Sequence, residues 1–285
     1  MKIIYGSGLL TFHIFCDNRG VNKLEYVPAS AVLLTAFTST LAGMYSGSAV
    51  ANYLCGVKAW HTIHGLDWAL GKAEMEALLK SATMLAPQTS KCPPRESYTI
   101  KTIALICSKL NLAILLDAAV FTCLTTLFYA TVHTGEFTMH TLSSFKPKTH
   151  IKLLDMCDIQ DRQSNMVKNF HLPYTKSMPN GKDVNWAKQV GPSDPSSAFD
   201  NHLEVNNPPP NGPLFAYKQG KGHCTLTKSK FIETLNAALK AEGRAPLQSH
   251  GIRIGSTVEY LLCNIPFNVV KVKGRWVSNA FLLYL

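Results

Sequence analysis

A histidine and an arginine stand three residues apart in Ser249-His250-Gly251-Ile252-Arg253, and in a helix they share one face close to its N-terminus. Such a face attracts an anion, because the first backbone N–H groups and the helix dipole point at it, and a guanidinium binds two phosphate oxygens side by side. Lys176, in the stretch HLPYTK, falls where a predicted strand enters a hairpin turn. Trp276, in Gly274-Arg275-Trp276, offers an indole N–H to an oxygen, and eight residues later Tyr284 carries a phenol able to act as a nucleophile. Taken singly, each has an ordinary explanation: a surface pair at a helix start, a solvated lysine, a core tryptophan and a packing tyrosine. His61 and His64 stand at i and i+3, as metal ligands would, but their helix reads as a packed bundle helix. His133, His140 and His150 have no metal partners at useful spacing, and neither a P-loop motif nor a carboxylate metal cluster is present.

The elements that must hold these residues follow from periodicity. Helices are predicted over residues 29–41, from near Ser48 to Gly65 and over 72–85. The stretch PQTSKCPPR at 87–95, three prolines among polar neighbours, reads as a linker. Beyond it, 99–110 and 114–132 read as helices, and 167–172 and 185–189 alternate like a hairpin around the turn PNGKD. NNPPPNGP at 206–213 reads as a stiff extended loop. Residues 227–241 and 249–263 are predicted helices, the second with Ser249 as its cap. The expected order is an unassigned segment at 1–25, a helical domain at 26–86, a linker at 87–98 and a mixed domain at 99–285. The fold class is mainly α with a small β-sheet.

Of the 285 residues, 46% are hydrophobic and 16% charged, which excludes disorder as the main state. The net charge of +10 is uneven: residues 1–100 carry +2 and residues 101–285 carry +8, so the second half suits a polyanion. The eight cysteines lie far apart with no CxxC pair and read as reduced core thiols, which implies a reducing, intracellular compartment. The longest uncharged apolar run, 118–132, has 15 residues and falls short of the roughly 20 needed to cross a bilayer. It reads as a buried helix. The apolar N-terminus is interrupted by Gly6, Gly8 and His13 and lacks a small-x-small cleavage site, so a signal peptide is not expected.

The order of the chemistry-bearing residues, a hairpin lysine, HxxR about 75 residues on, a tryptophan about 25 further and then a tyrosine, resembles the tyrosine recombinases. These are the phage-integrase and Cre-like enzymes that break and rejoin DNA. The strings SHGIRIGSTVEYLL, KGRWVSNAFLLYL, NHLEVNNPPPNGPLFAY and AGMYSGSAVANYLCGVKAWHTIHG are similar to recombinases of Crypton-like mobile elements in fungal genomes. The resemblance runs from about Tyr26 to the last residue. It implies a helical DNA-clamp domain followed by an α+β catalytic domain, with double-stranded DNA as partner, a homo-oligomer on DNA and a nuclear location. Tyr284 would attack a phosphate to give a 3′-phosphotyrosyl link, with Arg253 stabilising the phosphorane-like transition state and His250 bonding the same phosphate and assisting proton transfer. Trp276 would donate to an oxygen, and Lys176 would protonate the departing 5′ oxygen. No metal, nucleotide cofactor or membrane is implied.

The family places a second phosphate-binding arginine three residues before an acidic residue. The matching segment here is His133-Thr134-Gly135-Glu136, so His133 takes the arginine position. An imidazole with an ordinary pKa near 6.5 is mostly neutral at pH 7 and lacks the guanidinium fork. Losing one comparable donor costs roughly 10²–10³ in rate, so impaired cleavage is expected. The chain also stops one residue past Tyr284, where relatives continue into a segment that packs on a neighbouring subunit, and this leads us to expect a monomer in solution and weak or absent synapsis even where DNA binding persists. Three readings stand: a recombinase or integrase, a non-catalytic DNA-binding copy of one, and an anion-binding helical scaffold. The first two require DNA affinity to fall roughly 10³-fold or more between about 50 and 200 mM salt as counterions are released. Filter binding measures it, and a flat response leaves only the scaffold.

Overall fold

The computed structural model describes residues 2–90, 96–161, 163–175, 178–276 and 282. The chain divides into two units, Met1–Pro94 and Arg95–Leu285, and helix makes up 52% of it.

The first unit is all-helical: α1 (Lys2–Asn18), α2 (Ala31–Leu41), α3 (Gly47–Ile63) and α4 (Lys72–Met84). Ser30 and Ser46 start α2 and α3, each side-chain oxygen accepting a backbone N–H, from Leu33 and Ala49, at 3.2 Å. Sequence periodicity assigns nothing to residues 1–25, yet α1 joins the core. Its Phe12 meets Phe37 edge-on at 5.2 Å between ring centres, and Gly8 allows α3 to come close, since a Cβ there would lie 2.7 Å from the Tyr53 carbonyl oxygen. His61 is fully buried: Nε2 accepts the Ala29 N–H at 3.0 Å and Nδ1 donates to the Val57 carbonyl at 2.9 Å. It is a satisfied core histidine. Among the described residues no cluster of three or more His, Cys, Asp or Glu is placed to hold a metal ion.

The second unit is built around α6 (Leu115–Tyr129), in which every residue from 118 to 129 is buried, as a helix apolar on all sides must be. Before it comes α5 (Ile100–Lys109), and after it the single turn α7 (Thr134–Phe137). An antiparallel sheet in the order β1 (Met156–Gln160), β2 (Met166–Leu172), β3 (Lys182–Ala187) follows, with Phe170 opposite Val184. Next are α8 (Pro195–Asn206), the short pair β4 (Tyr217–Gln219) and β5 (Gly222–Cys224), then α9 (Lys228–Lys240), α10 (His250–Leu262) and α11 (Phe267–Lys273). Phe170 and Trp186 from the sheet meet Phe199 of α8 at 5.9 and 6.1 Å, and each such buried ring contributes about 1.5–3 kcal/mol.

Several expectations need correction. Strand β3 begins three residues before the predicted 185, and β1 carries four exposed residues of five, so no alternation announces it. Helix α8 has a weak apolar face and is set by its start instead: Asp194 accepts N–H bonds from Ser196 and Ser197, and Pro195 occupies the first turn. Ser249 is not a side-chain cap, because it is already helical in backbone conformation and its hydroxyl bonds no backbone N–H of the first turn. The proline-rich stretch after α8 is a loop, as expected, and it is pinned to the unit where the Leu154 N–H donates to the Pro210 carbonyl at 3.1 Å. All seven described cysteines are free, but Cys157 and Cys263 are exposed rather than core. No helix among the described residues is long and apolar enough to cross a membrane.

Helix α10 lies against residues 96–98 through its glycines. The Tyr98 N–H donates to the Gly251 carbonyl at 3.1 Å, and a Cβ on Gly255 would overlap the Tyr98 carbonyl. Gly255→Ala therefore forces backbone apart and should destabilise this unit by about 1–3 kcal/mol. Gly222→Ala, where an added Cβ meets nothing, is the control in urea unfolding.

Candidate functional site

Helix α10 is fixed to the end of α6 by two bonds. The Tyr260 hydroxyl donates to the Tyr129 carbonyl at 2.7 Å, and the Ser256 and Thr131 hydroxyls meet at 2.7 Å. Thr131 sits at φ 53°, turning the chain sharply so that residues 133–136 emerge beside the first turns of α10. This brings His133 and Glu136 to His250 and Arg253 across more than 100 residues of sequence.

Arg253 is buried, with only 4% of its surface exposed. Its Nη2 donates to the Gly274 carbonyl, and its guanidinium lies 4.4 Å from the centre of the Trp276 ring. Gly274 is required for this: a Cβ there would overlap the folded-back indole. Trp276 follows the end of α11 and is not in a helix, contrary to its apolar sequence surroundings. Next to it, Arg275 grips Glu136 with both prongs, Nη1 to Oε1 at 3.0 Å and Nη2 to Oε2 at 2.5 Å. Glu136 Oε2 also accepts the His133 N–H at 2.8 Å, so one carboxylate holds the start of α7 and the segment after α11 together.

The His133 imidazole is pushed down to about 4. Loss of hydration is the largest cause and the Arg253 charge the next; with smaller contributions from Arg275 and His250 they outweigh the opposing pull of Glu136. The residue as a whole stays exposed, so solvent softens this shift. At pH 7 the ring is neutral.

Sequence reasoning missed two basic residues. Arg275 stands inside the string KGRW, but nothing local reveals that its partner is Glu136, 139 positions earlier. Lys273 donates to the Asn185 carbonyl of β3 at 3.0 Å and lies 5.1 Å from the centre of the Tyr260 ring; burial pushes its amine down to about 8. Between β3 and α11 lies an open groove of about 620 Å³ lined in part by Lys182, Asn185, Lys273 and Arg275. The structure thus gathers Arg253, His133, Glu136, Trp276 and His250. Lys176 and Tyr284 lie outside the described residues.

Solved structures share this arrangement of elements. The XerH site-specific recombinase bound to palindromic difH substrate, a post-cleavage complex, is similar with a TM-score of 0.62 and 14% identity over 99% of this chain and 74% of that one. Its pre-cleavage complex with difH substrate gives 0.59 and 15% over 99% and 75%. A lambda integrase dimer bound to a COC′ core site gives 0.55 and 12% over 99% and 70%. No protein-family model and no curated protein matches the chain. At such identities the likeness establishes the fold alone, one seen in tyrosine recombinase structures: mostly helical, with a small sheet in the second unit.

The His133 and His202 rings are both held near 4, His202 by burial against the Leu214 carbonyl that its Nε2–H bonds at 3.1 Å. Their folded values lie below the unfolded 6.5, so the unfolded chain binds more protons, and stability present above pH 6.5 is lost as pH falls toward 4. Melting temperatures read between pH 7 and 4.5 should drop, and His133→Asn should make the drop shallower. An unchanged slope would mean that this ring is not held neutral.

Proposed function

We propose that this protein breaks and rejoins double-stranded DNA through a 3′-phosphotyrosyl intermediate, in the manner of a site-specific tyrosine recombinase. The observation that carries the reading is the meeting of Arg253, His250 and Trp276 in one site, on elements arranged as in recombinase structures. The indole and a buried guanidinium in contact form a preorganised donor set, which costs little reorganisation when charge develops on a phosphate. Tyr284 is the nucleophile in this reading and Lys176 the acid for the leaving 5′ oxygen. The tyrosine oxygen bonds to phosphorus as the ester bond to the 5′ oxygen breaks, and rejoining runs the same exchange backwards. The phosphodiester energy is conserved, so the scheme calls for no nucleotide cofactor. The protein works on DNA in the nucleus, as the product of a Crypton-like mobile element; the strings at residues 42–65, 249–262 and 273–285 support this finer assignment.

One observation favours a second reading, a DNA-binding protein that no longer cleaves: the neutral His133 at a position where the family carries an arginine. A nicked suicide duplex separates the two. The first reading gives a covalent protein–DNA adduct on denaturing gels, abolished by Tyr284→Phe and slowed roughly 10²–10³-fold by Arg253→Gln. Salt-sensitive binding with no adduct at any time would leave the second.

A further inference from the structure

Resting on the recombinase reading, we propose that Arg275 supplies the second phosphate-binding guanidinium of the site, taking from the end of α11 the role that His133 cannot fill.

Charge arrangement makes the case first. With His133 neutral at pH 7, the Arg253 and Glu136 charges that act on it are of opposite sign and offset each other. A phosphodiester carries one negative charge and its transition state more, so a site with a cancelled balance would hold it poorly. Arg275 offsets the Glu136 carboxylate and returns the site to net positive.

Geometry then shows a free donor. Arg275 spends Nη1 and Nη2 on Glu136, while its Nε is buried and has no hydrogen-bond partner among the described residues. Its side chain is only 10% exposed, and a buried N–H left unmade in a native fold asks for a ligand. The fork is held flat against Glu136, so Nε–H is oriented before any phosphate arrives. Arg275 also lines the groove between β3 and α11 with Lys182 and Lys273, two further cations for a backbone passing there.

Backbone conformation adds an independent sign. Arg275 has φ 57°, the left-handed conformation that follows many helices and is usually given to glycine. Here the glycine stands one residue earlier, at φ −77°, and the strained position is an arginine. A side chain kept at a disfavoured φ is kept by what it binds. A purely structural latch would explain the strain and the Glu136 contact, but not the unmet Nε.

The test uses the full chain, the nicked suicide duplex and equilibrium DNA binding. Arg275→Gln should slow adduct formation roughly 10²–10³-fold at saturating DNA. It should also lower the slope of log affinity against log salt by about one. Glu136→Gln/Arg275→Gln strands no carboxylate, so it guards against simple misfolding, and it should show the same losses. His133→Arg, placed in the Arg275→Gln background, should recover about tenfold or more of the rate beyond any gain it gives the parent. A latch on the Trp276 segment cannot be replaced from residue 133. Equal gains in both backgrounds, or a double Gln variant matching the parent, would overturn the proposal. If no protein forms an adduct but Arg275→Gln still flattens the salt slope, the cleavage reading fails and the phosphate contact stands. An unchanged slope refutes that contact whether or not DNA is cut.

Discussion

A guanidinium taken almost wholly out of water must find its partners inside the protein, and Arg253 imposes that demand on everything around it. The partners come from a segment distant in sequence: the Gly274 carbonyl accepts from its Nη2, and the Trp276 ring covers its face. Neither contact survives unless the chain doubles back after α11, and doubling back is sterically open only because residue 274 has no side chain. The same logic runs through α10. Gly251 and Gly255 remove side chains where residues 96–98 pass, which sets the helix deep enough to bury Arg253 at all. Four local choices of residue thus follow from one buried charge.

Glu136 is the counterpart of that charge. A carboxylate left without partners near a buried arginine would be drawn to it and would neutralise the site. Instead its two oxygens are committed to the Arg275 fork and to the His133 N–H, leaving Arg253 to the carbonyl and the indole. Orienting both guanidinium groups by contacts with protein, with Arg253 and the Arg275 side chain largely buried, places fixed positive charge where water cannot easily screen it. That is the electrostatic setting a phosphate ester requires.

How much of this was legible beforehand depended on the range of each interaction. Helices α2 through α6, α9 and α10 announced themselves because an apolar stripe or a wholly apolar run is a local property of the chain. α8 did not, since its start is specified by Asp194 and Pro195 rather than by its faces. β1 pairs with β2 through backbone bonds and shows mostly solvent-facing residues, so its composition carries no period. Among site residues, His250 and Arg253 share a helix and were visible as a spacing. Glu136 and His133 were visible only by resemblance, and Arg275, whose partner lies 139 residues away, was hidden until the chain was folded.

The histidine at 133 gains a different meaning once the fold is known. Read along the sequence, it is a loss: a fork replaced by a neutral ring. In the folded unit an arginine at 133 would add a third guanidinium beside Arg253 and Arg275, against the Glu136 carboxylate. Like charges at that spacing repel in the absence of DNA, and part of the unit's stability would go to holding them together. A neutral ring that stays neutral down to about pH 4 avoids that repulsion. On the proposed reading, a histidine at 133 and a phosphate-binding Arg275 are therefore two sides of one electrostatic balance, and neither is judged as decay without the other.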